Sequence, residues 1–201
     1  MTSARRAPTQ ARGEETVQTI LDTASALLAS TPFDQITTSR IAEAAGISVG
    51  ALYRFYNDKQ EIFDAIAVRE LAEFREQIEK TVQLRSLLFS TRKSLDRILD
   101  AYIDFLDSKP HFRELALGRH ISDRTRESQS DPETGPAGIL QDLLVKRSGL
   151  KPGKTLRLRM RIAAETGDRL IAFAYSQPTP EARAEVIAEL KVMLARYLLR
   201  L

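Results

Sequence analysis

The chain has 201 residues, enough for one domain with a substantial core or for a small head joined to a larger body. Hydrophobic residues make up 43% and charged residues 28%, as in ordinary globular proteins. There is no cysteine, which excludes disulfides and thiolate metal sites. The net charge of +3 permits a polyanionic partner without requiring one.

The amino-terminal residues lack the apolar stretch of a secretory signal. No uninterrupted apolar run approaches the length that spans a bilayer. We therefore expect a cytoplasmic protein without membrane contact.

Apolar residues recur at helical spacing along nearly the whole chain, which predicts an all-α fold. The first helix has an apolar stripe from Val17 to Leu28 and ends at Thr31-Pro32. Two shorter segments follow, broken at Gly46, and then a long amphipathic helix from Lys59 to about Thr81.

The rest of the chain predicts longer elements. The polar stretch Ser122–Pro136 is poor in large apolar residues and is predicted to be a mobile surface loop. The segment Leu156–Ile162 alternates like a strand, but a lone strand has no partner here, so we predict helix. The helices of this part are predicted at Leu95–Leu106, Phe112–Leu117, from Ile139 onward, at about Lys154–Tyr175, and at Pro180–Leu201, where Thr179 provides a cap.

The segment around Gly46 has the pattern of a helix-turn-helix. Thr37 is placed to cap one short helix that runs to Ala45, and Ser48 to cap a second that runs to Phe55. Gly46 takes the turn between them, and Ile47 is placed to pack beneath it. On these residues alone, two short core helices joined by a linker remain an equal alternative.

The same stretch resembles the DNA-binding head of the TetR family of transcriptional regulators. The resemblance runs from Glu14 to Phe63, about the first third of the chain. The residues that carry it are Ile41-Ala42, Ala45-Gly46-Ile47-Ser48, Gly50, Leu52-Tyr53, Tyr56 and Lys59.

The resemblance implies a small three-helix helix-turn-helix head followed by a larger helical body for ligand binding and dimerisation. We place a flexible basic arm at residues 1–13, the DNA-binding domain at 14–74 with its helix-turn-helix motif at about 37–56, and the body at 75–201. Arg5, Arg6 and Arg12 of the arm either enter a minor groove or belong to a frayed terminus.

The family pattern implies that Thr38, Tyr53 and Lys59 contact DNA phosphates and that the start of the second helix faces the major groove. Phe55 departs from the pattern, and it either contacts DNA or belongs to the core. The predicted DNA-binding residues are Thr37, Thr38, Ser39, Arg40, Ser48, Val49, Gly50, Ala51, Tyr53, Arg54 and Lys59.

For the body, the resemblance implies a small-molecule pocket and a dimer interface formed by the last two helices. Aromatic and methionine side chains are candidates for the pocket, and each has plain core as its alternative: Phe74, Phe89, Tyr102, Phe105, Phe112, Met160, Phe173 and Tyr175. Small and apolar residues of the terminal helices are candidates for the interface: Ala163, Gly167, Leu190, Leu194 and Tyr197. No cluster of acids or histidines indicates a metal, so we predict no metal and no cofactor.

The predicted function is a ligand-responsive repressor that binds a palindromic DNA operator as a homodimer and is released by a small, largely apolar molecule. One alternative is a helical enzyme that uses His111 or His120 with Glu114, Glu165 or Asp168. Another is a DNA-binding dimer that has no ligand, with the body serving dimerisation alone.

Overall fold

The computed structural model describes residues 8–85, 91–130, 141, 145, 151 and 153–199. Over these residues the chain forms nine α-helices and one short 3-10 helix, without a strand, which confirms the all-α prediction. The chain divides into two compact units, Met1–Ile66 and Ala67–Leu201. The predicted domain boundary at residue 74 and the boundary between these units both fall within one long helix. No helix in the described ranges is long and apolar enough to cross a bilayer.

The first unit is built from four helices and a 3-10 helix. These elements are α1 (Pro8–Ser30), the 3-10 helix Phe33–Gln35, α2 (Thr38–Ala44), α3 (Val49–Leu52) and the first two turns of α4, which spans Lys59–Arg85. Ile20, Ile41, Leu52 and Phe63 are fully buried and supply one core residue from each of the four helices. The Phe33 ring packs on that of Phe63 with centroids 4.9 Å apart.

The second unit contains the remainder of α4 and five further helices. They are α5 (Thr91–Ser108), α6 (Pro110–Leu117), α7 (Asp123–Ser130), α8 (Lys154–Tyr175) and α9 (Pro180–Leu199). Thr179 caps α9, because its Oγ1 accepts a hydrogen bond from Ala182 N at 3.2 Å. The bounds predicted for α8 are confirmed, so the alternating segment Leu156–Ile162 is helical.

The core of the second unit centres on three phenylalanine rings. Phe105 lies 5.3 Å from Phe74 and 5.6 Å from Phe112, measured between ring centroids, and all three side chains are buried. Leu156 and Met160 of α8 and Leu190 and Leu198 of α9 belong to the same cluster. The core therefore joins the second part of α4 to both terminal helices.

The structure corrects the predicted loop at Ser122–Pro136, because residues 123–130 form α7. Ser122 Oγ accepts from Thr125 N at 3.3 Å and so caps the helix, while Arg126 pairs with Asp123 one turn earlier at 3.2 Å. A helix this polar gives no apolar stripe to detect. The rest of the predicted loop, and the helix predicted from Ile139, lie outside the described residues apart from 141 and 145.

Two boundaries also differ in the first unit. Residues 8–13 of the predicted arm belong to α1, and the arm's Arg5 and Arg6 lie outside the described residues. The second helix of the motif ends at Leu52 rather than Phe55. After Leu52 the chain tightens into a turn in which Phe55 N bonds to Leu52 O at 2.9 Å.

Candidate nucleic-acid interface and cavity

The turn between α2 and α3 has the geometry that the sequence predicts. Thr37 Oγ1 accepts from Arg40 N at 3.2 Å and Ser48 Oγ accepts from Ala51 N at 3.1 Å, so each helix has a hydroxyl cap. Gly46 has a φ of 68°, the left-handed region that glycine adopts without strain. These contacts fix α3 relative to α2.

One side of this motif is packed and the other faces solvent. Leu52 is fully buried, whereas Val49 is 38% and Tyr53 50% exposed. Exposed tyrosine and valine beside small residues leave a surface that packing within the unit does not use. The other exposed members of the predicted DNA-binding set are Thr37, Ser39, Arg40, Ser48, Gly50 and Arg54, and Thr38, Ala51 and Lys59 are partly buried.

The predicted phosphate ligands Thr38 and Tyr53 lie side by side. Their hydroxyl oxygens are 3.1 Å apart, which joins the start of α2 to the end of α3. Each hydroxyl retains capacity for a further hydrogen bond to a phosphate oxygen. The structure thus brings together two of the residues that the family pattern selects.

Lys59 makes contacts that the sequence did not predict. Its Nζ donates to Phe33 O and to Ile36 O, each at 3.2 Å, and lies 4.3 Å from the centre of the Phe33 ring. The ammonium has three donors, so these two carbonyls leave one. Lys59 therefore fastens the segment between α1 and α2 to the start of α4.

The start of α4 carries a reciprocal cap that sequence analysis missed. Glu61 N donates to Asp58 Oδ1 at 2.8 Å, while Glu61 Oε2 accepts from Asn57 N at 2.8 Å. The hydrogen bonds from Asn57 lower the pKa of Glu61. The spacing Asp58-x-x-Glu61 was the signal available in the sequence.

Phe55 is half-buried, and its ring faces α1 near Gly13. Packing of the ring against α1 within the first unit therefore explains an aromatic residue at position 55.

The second unit contains a partly open cavity of about 200 Å³ between its helices. Four of the residues predicted for the pocket line it: Phe74, Tyr102, Phe112 and Met160. The other described residues of its wall are Leu71, Leu95, Ile98, Leu99, Ala116, Ile121, Arg126, Gln129, Ala163, Ala164, Gly167, Asp168, Ile171, Leu194 and Leu198.

The remaining pocket candidates lie elsewhere. Phe105 is buried in the aromatic core, and Phe173 is 53% exposed on the surface of α8. Tyr175 does not line the cavity and instead contacts Asp107 and Arg183. Its hydroxyl donates to Asp107 Oδ1 at 2.8 Å, and the guanidinium of Arg183 lies 3.8 Å from its ring centre. Phe89 lies outside the described residues.

The residues predicted for the dimer interface lie mostly inside the unit. Gly167 and the buried side chains of Ala163 and Leu194 line the cavity, and Leu190 is buried in the core beside the partly buried Tyr197. The dimer interface formed by the last two helices stays a prediction. The exposed large apolar side chains of α8 and α9 are Leu158, Ile162, Phe173 and Met193.

The cavity wall also holds polar groups that sequence analysis did not assign to it: Arg126, Gln129 and Asp168. Burial among the surrounding helices, reinforced by the negative charge of Glu165, raises the pKa of Asp168 to about 6. Solvent reaches Asp168, so its charge is partly screened, and it is ionised at neutral pH. Burial, together with the charge of Asp168, also raises the pKa of Tyr102.

The histidines proposed for an enzymatic site each lie beside a carboxylate. His111 Nε2 lies 3.2 Å from Glu70 Oε1, and His120 Nε2 lies 3.5 Å from Glu114 Oε1. Burial alone would raise the pKa of Glu70, but hydrogen bonds from His111 and Lys109 outweigh it and lower that pKa to about 2. Among the described residues, no three acids or histidines converge in a way that could hold a metal ion.

Family comparisons match both parts of the chain. The family described as "Bacterial regulatory proteins, tetR family" matches residues 20–66. The family described as "Tetracyclin repressor-like, C-terminal domain" matches residues 90–201, which is more than half of the chain. These matches confirm the resemblance noted in the motif and extend it to the body.

Individual relatives are more distant. Nucleoid occlusion factor SlmA of Haemophilus ducreyi is 29% identical over 109 residues, covering 54% of this chain and 52% of that protein. The chain thus spans about half the length of the curated relatives that it matches first.

Solved structures are similar over most of their length. A TetR-family transcriptional regulator from Streptomyces coelicolor is 27% identical, with a TM-score of 0.70 over 92% of this chain and 98% of that one. FadR of Thermus thermophilus, a transcriptional repressor in complex with lauroyl-CoA, is 18% identical, with a TM-score of 0.66 over 90% and 94% of the two chains. At that identity the second likeness shows the fold alone.

Proposed function

Because this chain belongs to the TetR family, it is a DNA-binding transcriptional regulator, and we propose that it is a repressor that a small molecule releases from a palindromic operator. The observation that carries the ligand-responsive part is the cavity of about 200 Å³ in the second unit. A body that served only dimerisation would have no need of such a space. Members of this family are transcription factors rather than enzymes, which removes the enzymatic alternative.

The proposed DNA surface consists of the exposed side of α2 and α3 with the start of α4. The Thr38 and Tyr53 hydroxyls bind phosphate oxygens, and the third donor of Lys59 reaches another. Exposed Arg40 and Arg54 contact base edges or phosphates. The full proposed set is Thr37, Thr38, Ser39, Arg40, Ser48, Val49, Gly50, Ala51, Tyr53, Arg54 and Lys59.

The proposed effector site is the cavity, and its effector is largely apolar. The aromatic and aliphatic side chains around Tyr102 and Met160 support such a ligand. The lauroyl-CoA complex of Thermus thermophilus FadR offers a precedent for an apolar chain bound in this fold.

The proposed dimer forms through the exposed apolar side chains of α8 and α9. Leu158 and Ile162 are one turn apart on α8 and are 59% and 43% exposed, and Phe173, about three turns further on, is 53% exposed. Met193 adds an exposed apolar side chain on α9. A stripe of this kind on a monomer is characteristic of a surface that a partner covers.

In the proposed mechanism the dimer presents two recognition helices to half-sites about 34–36 Å apart. An effector that prefers a conformation with a different spacing weakens DNA binding by the ratio of its affinities for the two conformations. By linkage, DNA weakens effector binding by the same factor.

Selection of bound sequences from a pool of random duplexes tests this function. The full-length protein is expected to enrich a palindrome, and Tyr53→Ala is expected to bind that palindrome about tenfold or more weakly, at unchanged fold, because a charge-assisted hydrogen bond is lost. Val68→Ala is the matched control, since Val68 is also exposed but lies in the second unit. Enrichment of sequences without two-fold symmetry, or equal binding by Tyr53→Ala, would contradict the proposal.

A further inference from the structure

Among its described residues, the cavity wall carries the polar side chains of Arg126, Gln129 and Asp168, and its two charged groups differ in whether they already have partners. Arg126 already has partners: its Nη1 donates to Asp123 Oδ1 at 3.2 Å and its Nη2 to Ile121 O at 3.1 Å. Asp168 has no hydrogen bond or ion pair within the described part of the chain. Asp168 is therefore the charged acceptor of the wall.

The nearest charges do not neutralise Asp168. Glu165, one turn earlier on α8, adds a second negative charge, and its effect on Asp168 is larger than the opposing effect of the positive charge of Arg126 on α7. A carboxylate that lines a cavity and has no partner is less favourable than one in open water, even where solvent reaches it, as it does at Asp168. The site is complementary to a positive charge.

The space beside Asp168 is kept open by small residues. Ala163, Ala164 and Gly167 of α8 line the cavity next to it, and a methyl group placed on Gly167 would meet no atom within 4 Å. These small residues therefore leave space in the cavity beside the carboxylate of Asp168.

Aromatic faces complete the site. The rings of Phe74 and Tyr102 have centroids 5.2 Å apart, and both residues line the cavity together with Phe112. The faces of such rings attract cations, and the attraction is strongest where water is excluded. Tyr102 also lies close enough to Asp168 for the carboxylate to act on its hydroxyl.

We infer that the effector is a lipophilic ammonium ion, whose apolar body fills the cavity and whose protonated amine donates to Asp168 beside the aromatic rings of Phe74 and Tyr102. This inference rests on the proposed effector site and specifies the chemistry of its ligand. An amine with a single alkyl chain satisfies the carboxylate, the rings and the apolar wall at once, whereas a carboxylate ligand would meet Asp168 and Glu165 as like charges.

The raised pKa of Asp168 supports the same chemistry, since it reflects a carboxylate that burial and a like charge disfavour. A bound cation relieves that penalty and stabilises the ionised form.

Three compounds that share one octyl chain test the inference: octylammonium, 1-octanol and octanoate. Their binding to the full-length protein, free of DNA, is measured by titration calorimetry at about pH 7.5. Octylammonium is expected to bind about tenfold or more tightly than 1-octanol and octanoate, the size expected for a hydrogen bond to a charged group.

Asp168→Asn is expected to remove that advantage while leaving 1-octanol binding within about twofold, which also shows that the variant is folded. Glu189→Gln is the matched control, because it removes an exposed carboxylate of α9 that does not line the cavity, and it is expected to change octylammonium binding by less than about threefold.

Preferential binding of octanoate, or equal binding of octylammonium by wild type and Asp168→Asn, would overturn the inference and leave the effector site intact. Binding of 1-octanol without any preference for octylammonium would do the same. If none of the three compounds binds, both the inference and the proposed effector site are wrong.

Discussion

At the scale of single residues, Lys59 shows how one side chain serves two purposes. The family pattern predicts that it contacts a phosphate, and in the structure two of its three donors hold the carbonyls of Phe33 and Ile36. Those bonds extend across more than twenty residues of sequence, so spacing along the chain could not have predicted them. Lys59 accordingly stabilises the motif, and its third donor belongs to the proposed DNA surface.

Lys59→Met is expected to lower the free energy of unfolding by about 1–3 kcal/mol, because two partly buried carbonyls lose a charged donor. Chemical denaturation measures this. Lys80→Met is the control, since Lys80 lies on the same helix, is 69% exposed and pairs only with Glu76, and its loss is expected to cost less than about 0.5 kcal/mol. Equal stabilities for the two variants would show that the carbonyl contacts contribute nothing.

Asp168 predicts a pH dependence of stability. Its pKa in the folded protein is about 6, against an ordinary value of 3.8, so the folded state binds more protons than the unfolded chain between these values. Stability contributed by this group is therefore lost as the pH rises through that window. The groups that act on Asp168 are Glu165 of α8 and Arg126 of α7, and Tyr102 of α5 lies nearby.

Asp168→Asn is accordingly expected to raise the melting temperature at about pH 7.5 and to leave it nearly unchanged at about pH 4. Thermal denaturation monitored by circular dichroism at the two pH values gives the comparison. Glu165→Gln should show a smaller increase, because Glu165 does not line the cavity. A variant less stable than wild type at neutral pH would mean that Asp168 has a stabilising partner.

At the scale of elements, the helix-turn-helix could be predicted from local rules. Caps at Thr37 and Ser48 and a turn glycine at Gly46 are short-range features, and each has the predicted geometry. The helix α7 could not be predicted, because it has no apolar stripe. Its contacts with α8 and its cap stabilise it instead. The lining of the cavity could not be predicted either, because the tertiary packing of helices α4 through α9 decides which aromatic rings face it.

Two glycines of the motif predict opposite effects when changed to alanine. Gly46→Ala is expected to lower the free energy of unfolding by about 1–2 kcal/mol, because its φ of 68° strains an L-residue. Gly50→Ala lies in α3 with open space around it and is expected to raise stability by about 0.5–1 kcal/mol.

The expected effect of Gly50→Ala on DNA binding is opposite to its effect on stability. Gly50→Ala is expected to weaken operator binding about tenfold, because a methyl group then stands where the helix approaches the groove. Denaturation and fluorescence anisotropy on the same two variants separate the effects. Gly50→Ala with undiminished affinity would place the DNA surface elsewhere.

At the scale of the whole molecule, the two terminal helices divide their faces between the interior and solvent. Their small and buried residues, which the sequence analysis predicted to be an interface, line the cavity or fill the core. Periodicity identified the apolar positions of α8 and α9 correctly, but it could not decide whether the same chain or another covers them. That decision depends on where α5 and α6 pack.

Phe173→Glu is expected to convert a dimer into a monomer, because it places a charge in the exposed apolar stripe of α8. Size-exclusion chromatography with light scattering at micromolar concentration measures the mass. Val68→Glu is the control, since Val68 is 43% exposed but lies on α4. A Phe173→Glu protein that keeps the wild-type mass would exclude this stripe from the interface.

A repressor that a small molecule releases must show reciprocal coupling between its cavity and its operator. Operator affinity is measured by fluorescence anisotropy with and without saturating octylammonium, and octylammonium affinity is measured by calorimetry with and without the operator duplex. Each ligand is expected to weaken binding of the other by the same factor, about fivefold or more. Octylammonium that saturates the protein and leaves operator affinity unchanged would contradict this coupling.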